Sequence, residues 1–379
     1  MYFQMIKLSS YRYLLFFAIF VFFAGCGNKV INIEGEMTAN SHWLMPGCDA
    51  QNTGYISGNI SPSPEILWRS RIKSLDPTTP AFCCGKIFIG TPIKRIFILD
   101  ADDGEIFDKI WTDAPTMYPP VISGENMIFL GYGRYNKMGI YNMRIGKTRW
   151  AKNCGDAKIF PQLSDSLVIF ATIRGFLYAL SLNDGKKIWQ YNLGAPVKIP
   201  MAMRNDTIWC AAGNEVFCIT TDGKPIWREK TSKTPIGAIT LTEDRIIVPL
   251  SPNKILSLKC NSGDILWEFT AENSSNLPVA TDGKIAVAVE RNGYIESISN
   301  ADGSLIWRTK IGRTIVSAPI IVGDKAIAAS YDGGIFVIGL NNGKILSIID
   351  CGQPVRNPPA SNGKGIFVVS QNGYVFYLQ

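Results

Sequence analysis

The sequence predicts an all-β fold: an eight-bladed β-propeller of four-stranded antiparallel blades, closed by pairing of the N- and C-terminal strands. Three observations predict it. A turn glycine recurs at Gly104, Gly146, Gly185, Gly223, Gly263, Gly303 and Gly343, in steps of 38 to 42 residues. Four residues after five of these glycines comes a tryptophan (Trp150, Trp189, Trp227, Trp267, Trp307), with Asp108 and Ser347 in the other two copies. Before each such turn lie short runs rich in Ile, Val and aromatics, bounded by Gly, Asn, Asp and Pro, which is the punctuation of strands and hairpins. No window after residue 40 carries a 3.6-residue apolar period, so helices are not expected.

The fifth repeat shows the elements in order. Ile239-Thr-Leu-Thr is an inner strand, followed by an acidic turn at Glu243-Asp244. Arg245 to Leu250 and Ile255 to Leu258 are the middle strands, joined by Ser251-Pro-Asn-Lys254. Asp264 to Phe269 is the outer strand. Four strands per repeat of about 40 residues is a propeller blade. The ends supply the eighth. Gly373 to Gln379 is a third strand with no fourth, and Glu65 to Arg69 is a fourth strand with no third. Joined, they remove a frayed edge.

Composition narrows the function. Of 379 residues, 46% are hydrophobic and 18% charged, which fills a core and excludes wholesale disorder. His42 is the single histidine, so histidine-rich metal sites and histidine-driven mechanisms are excluded, while carboxylate or lysine chemistry is not. The +7 net charge is spread along the chain, and no nucleic-acid partner is expected.

The N-terminus reads as an address. Lys7 and Arg12 precede an apolar run from Tyr13 to Phe23, ending in Ala24-Gly25-Cys26. About eleven apolar residues are too few to cross a ~30 Å hydrocarbon core, and the pattern is that of a secretory signal. Its ending resembles the bacterial lipobox, with Phe23 where leucine is usual, and that resemblance implies that Cys26 is lipidated. Residues 1–25 are then a lipoprotein signal peptide, 26–40 the lipidated cysteine and a flexible tether, and 41–379 the propeller. Removing Lys7 and Arg12 leaves a mature charge of +5. By analogy with enteric bacteria, Gly27 points to the outer membrane, facing the periplasm, with the cell surface as the alternative.

The other eight cysteines would enter an oxidising space. Cys210 and Cys218 flank a predicted hairpin turn, and two readings stay open: a cross-strand disulfide, or two small core residues. Cys83 and Cys84 are adjacent, at the junction of two strands, and a disulfide between them is equally open. Cys154 and Cys351 share one slot in different repeats, which keeps them apart if those repeats are distant.

Ala179-Leu-Ser-Leu-Asn-Asp-Gly-Lys-Lys-Ile-Trp189 is the best copy of the repeat. It resembles the tryptophan-docking repeat of the pyrroloquinoline quinone (PQQ) propeller superfamily. Trp43 to Tyr55, with Ile66-Leu-Trp68, is similar to that superfamily's opening segment. The resemblance covers residues 41–379. It implies that Trp68, Trp150, Trp189, Trp227, Trp267 and Trp307 pack between neighbouring blades.

Two functional classes share the fold. Quinoprotein dehydrogenases hold PQQ and Ca²⁺ on the axis, and often carry an adjacent cysteine pair such as Cys83-Cys84. Here that pair falls on the face away from the expected quinone mouth, and the insertions that build the enzymes' site are missing. Glu272, Asn273, Asn276 and Glu290 are the few oxygen ligands near the entrance. The non-catalytic branch, the BamB-like lipoproteins of outer-membrane β-barrel assembly, matches better in lipid signal, short tether and compact length. It implies no enzyme activity, no cofactor, and a monomer within a complex, bound to an envelope protein such as a β-barrel assembly component. A surface carbohydrate-binding propeller is the further alternative, with Tyr118, Tyr132, Tyr135 and Phe160 as stacking candidates.

Loop charges add an independent expectation. In a propeller the loops between blades and the turns between the two middle strands share one face. Lys158, Lys198, Lys233, Arg313 and Arg356 lie in the first set, and Lys94, Arg95, Arg134, Lys137, Arg174, Lys254 and Arg291 in the second. The other face carries Asp102, Asp103, Glu125, Asp165, Asp184, Asp206, Asp222, Glu243, Asp244, Asp282, Asp302 and Asp324. A basic mouth and an acidic base are expected, the mouth steering an acidic partner.

Overall fold

The structure is a computed structural model that describes residues 42–131, 136–273 and 277–379. Eight antiparallel blades follow one another around an axis, each running from an inner to an outer strand. The first is Ala81–Cys83, Lys86–Thr91, Arg95–Asp100 and Ile106–Trp111. The eighth is Ala360–Ser361, Ile366–Val369 and Tyr374–Leu378, with Ile66–Arg71 outermost. Ile66 pairs with Leu378 and Arg71 with Tyr374, so the two ends of the chain close the ring as expected.

The middle strands are buried on both faces because each blade is covered by two neighbours. In Arg245–Leu250, Val248 packs with the preceding blade and Ile247 with the following one. This is the alternation of a strand's period of two. Outer strands such as Pro225–Lys230 alternate between exposed and half-buried positions.

Each outer strand carries a register shift one residue before the repeat's tryptophan slot. Ala179 pairs with Trp189 and Leu180 with Lys187, leaving Ile188 unpaired. Such a bulge re-aims the next side chain, here the indole, towards the following blade. Trp68, Trp150, Trp189, Trp227, Trp267 and Trp307 donate their indole N–H to the carbonyls of Ala101, Leu182, Thr221, Cys260, Asn300 and Leu340, at 2.7–3.0 Å. Each acceptor lies in the next blade.

One blade departs from the four-strand pattern. Tyr55–Ile56 adds a fifth, parallel strand on the inner edge of the blade built from Ile320–Val322, Lys325–Ala329, Gly334–Gly339 and Ile345–Asp350. It belongs to a longer opening strap that passes from blade to blade. The backbone of Trp43 pairs with Phe82, and the carbonyls of Leu44, Ala50, Gln51, Thr53 and Gly54 accept from the N–H groups of Ile122, Met203, Leu241, Thr281 and Ile321. These positions are the inner-strand ends next to the first hairpin turns. The strap satisfies backbone groups that an open channel would leave bare.

Candidate functional site

The strap closes the axis at the end opposite the expected mouth. Asn52 pins it, donating Nδ2 to the carbonyls of Met201 at 3.0 Å and Ile239 at 2.8 Å. Above it remains a space of about 70 Å³, lined by Trp43, Pro200, Pro278, Pro319, Pro358 and similar apolar groups, with Asn52 the polar side chain among them. The quinone expected under the enzymatic alternative can be tested against this lining. Ligand sites run to about 300–1,000 Å³, and a Ca²⁺ ion takes roughly six to eight oxygen ligands. The residues on the axis therefore do not fit PQQ or its calcium. Phe160 is buried against the same space, and Tyr118 packs half-buried on a neighbouring core.

Of the twelve cations expected at the mouth, seven fall into three conditions. Arg174 is paired with Asp156 at 2.5 Å and Arg313 with Asp332 at 2.9 Å. Arg95 lies over the Trp111 ring at 4.0 Å and Arg356 over Tyr331 at 5.2 Å. Lys158, Lys198 and Lys233 are exposed, and the last two make no ion pair among the described residues. Lys137 and Lys254, also expected here, pair with Asp113 and Glu268. The mouth is basic but partly neutralised from within.

The expected acidic base needs correction. Asp184 pairs with Lys186, Asp222 with Lys224, Asp244 with Arg245, Asp324 with Lys325 and Glu125 with Arg149. The turns that supply the acids supply cations beside them, so that face is mixed in sign.

A cluster of charge also lies at the mouth end of the sixth blade. Arg308 holds Glu272 at 2.5 Å, Glu290 at 2.9 Å and Glu296 at 3.0 Å, and its guanidinium lies 3.9 Å from the Tyr294 ring centre. Asn273 donates to the other oxygen of Glu290 at 2.9 Å. Glu290 is fully buried and Glu296 nearly so. Burial first, and then the adjacent Glu290 carboxyl, pushes Glu296 up to about 8. The sequence had singled out Glu272, Asn273 and Glu290, but not Arg308, which gathers them. Glu290 and Glu296 are shut from water against Arg308, and Glu272 pairs with it from the exposed side, so the cluster is built to lock the blade.

Cys210 and Cys218 do not face one another. Cys210 pairs with Phe217, and Cys218 with Trp209. One residue of register puts them on opposite faces, in different cores. Cys154 and Cys351 also sit in separate cores. In the turn after the first inner strand, the sulfurs of Cys83 and Cys84 are 2.7 Å apart. Their hydrogen bond lowers the Cys84 pKa and raises that of Cys83. The signal peptide, Cys26 and the tether, with Tyr132, Arg134, Tyr135 and Asn276, lie outside the described residues.

Comparison with known proteins fits this geometry. The family model described as "Outer membrane protein assembly factor BamB" matches residues 63–191 and 178–379. The outer membrane protein assembly factor BamB of Moranella endobia strain PCIT is 24% identical over 279 residues, covering 67% of this chain and 69% of the relative. The crystal structure of BamB from Moraxella catarrhalis superposes with a TM-score of 0.71 at 15% identity, covering 83% of this chain and 99% of that one. A europium-containing methanol dehydrogenase gives a TM-score of 0.72 at 10% identity, covering 87% and 89%. At these identities the superpositions establish the fold alone.

Proposed function

Because the chain belongs to the outer membrane protein assembly factor BamB family, we propose that it is a lipid-anchored, non-catalytic propeller scaffold in the cell envelope. On this reading Cys26 tethers it to the outer membrane, facing the periplasm. Its mouth holds an envelope protein, a component of the β-barrel assembly machinery, and it works as a monomer within that complex. The observation that carries the reading is the axis. Where the fold's enzymes need a polar cofactor site, this chain has about 70 Å³ of apolar space under a hydrogen-bonded strap. Its recognition chemistry is then left to the loops, among which Lys158, Lys198, Lys233 and Arg356 are exposed.

The test is in-cell crosslinking of the tagged lipoprotein, followed by mass spectrometry. A barrel-assembly component should dominate, and Lys198→Glu with Arg356→Glu should weaken its capture and the salt dependence of binding. Finding no stable protein partner would sink the scaffold reading and turn attention to glycans.

A further inference from the structure

The repeat makes departures from it informative. Most exposed large apolar side chains recur from blade to blade on the outer strands, such as Ile188, Ile226, Leu266 and Ile306. At the mouth they do not recur. Apart from Tyr331 of the seventh blade, which lies under Arg356, they gather where the eighth, first and second blades meet: Leu75 is 65% exposed, Ile93 42%, Trp111 66% and Met117 43%.

Two of these break the repeat's own chemistry. Leu75 stands where other blades have Pro115, Pro196 or Pro354. Ile93 replaces Arg174, Asp332 or Asn372. Met117 shares its slot with Lys158, Lys198 and Arg356 and with Ile236 and Val316, but is exposed where those two are half-buried. Beside Ile93 the backbone departs too. Lys94 sits at φ 60°, in a place that Gly175, Gly333 and Gly373 hold in other blades. A non-glycine residue in that region costs of order 1 kcal/mol and is kept where the surroundings require it.

These residues form a continuous surface. Leu75 and Ile93 line one groove of about 620 Å³, with Arg71 and Lys73. Met117 and Arg356 line a second of about 230 Å³, which shares Asp76 with the first. The Thr112 N–H bonds the Lys94 carbonyl at 3.0 Å, bringing Trp111 to the same rim, where Arg95 covers its ring. Arg71, Lys73, Lys94, Arg95 and Arg356 make no ion pair among the described residues. Asp76 is the exposed acid lining the grooves. Apolar side chains in concave grooves, rimmed by uncompensated cations, complement an extended chain that alternates acidic and apolar side chains.

We propose that this sector of the mouth is a docking groove for an extended acidic peptide segment of the partner protein, its apolar side chains seated against Leu75, Ile93, Trp111 and Met117. This rests on the scaffold reading for the identity of the partner, but the groove's own chemistry is tested separately. The experiment titrates a fluorescein-labelled decapeptide of alternating Glu and Leu into the purified chain. A decapeptide of alternating Lys and Leu and phosphatidylglycerol vesicles are the other probes. The acidic peptide should bind saturably, more weakly as salt rises. Lys73→Glu with Arg356→Glu, and separately Trp111→Ser, should each weaken it by about tenfold or more, the loss of one anchoring contact. All three side chains are exposed or at the rim, and unchanged thermal unfolding verifies that the variants fold. Equal binding of the basic peptide, unchanged binding by both variants, or vesicle binding that the acidic peptide does not displace would overturn the groove. None of these outcomes touches the in-cell capture that tests the scaffold reading.

Discussion

The indole of Trp189 lies so close over Gly223 of the next blade that a Cβ added there would sit 2.9 Å from the ring. The same contact joins Trp68 to Gly104, Trp150 to Gly185, Trp227 to Gly263, Trp267 to Gly303 and Trp307 to Gly343. The two residues that define the repeat in the sequence are thus partners across blades, not within one. Gly223 also holds φ at 86°. Gly223→Ala should therefore destabilise through both clash and backbone strain, by about 2–4 kcal/mol. Trp189→Phe should cost less, roughly 1–3 kcal/mol, chiefly by leaving the Thr221 carbonyl unpaired. Chemical denaturation of the two variants would measure this, and equal costs would contradict the account.

Asn52 ties the strap to two inner strands at once, at a left-handed φ of 55°. Asn52→Ala removes both bonds and keeps the strain, and should cost about 2–3 kcal/mol. Asn52→Gly relieves the strain and should fall between the variant and the native chain. Amide exchange would show the strap as the part that loosens first.

Glu296 gives stability a pH dependence. An unfolded glutamate titrates near 4.5, whereas in the fold burial and Glu290 raise it to about 8. Between these values the folded chain keeps a proton that the unfolded chain releases. The contribution is full below pH 4.5 and is lost as pH rises through 8. Glu296→Gln should flatten that decline and raise the melting temperature at the alkaline end. A native chain whose melting temperature rises over this window, with no change in the variant, would contradict it.

Among the described cysteines, Cys84 is half-buried and the other seven are buried. The Cys83 thiol bonds to its sulfur, and the nearby Lys86 favours its thiolate. By contrast, burial raises Cys154, Cys210, Cys218 and Cys351 to about 12. After reduction, iodoacetamide should alkylate Cys84 first in the folded chain. Lys86→Ala should slow that step. Peptide mapping of the labelled protein reads the order, and early labelling of a buried cysteine would refute it.

The mouth shows where sequence reasoning stops. Lys198 and Arg356 could be placed on a face because loop order follows from strand order. That Arg174 is neutralised by Asp156, or Arg313 by Asp332, depends on which turns the ring sets side by side. The Asp-rich turns are mixed in sign for a local reason: Lys186, Lys224 and Arg245 stand one or two residues from Asp184, Asp222 and Asp244 and fold back onto them. For Cys210 and Cys218, of the two readings left open, the structure gives two core residues, by a single residue of register that a predicted turn does not specify.

By itself the sequence determined the blade: its four strands, its turn glycines, its tryptophans and the closure by Glu65–Arg69 and Gly373–Gln379. These are written in periods of two and of about forty residues, and local hairpin geometry turns such periods into structure. Only the tertiary structure decided the rest. The strap binds through Asn52 to carbonyls 149 and 187 residues away. Arg308 reaches Glu272, Glu290 and Glu296 across three chain segments. Leu75, Ile93, Trp111 and Met117 form one surface because ring closure sets the eighth blade against the first. Contacts of that kind are fixed by which blades become neighbours, and no local period records them.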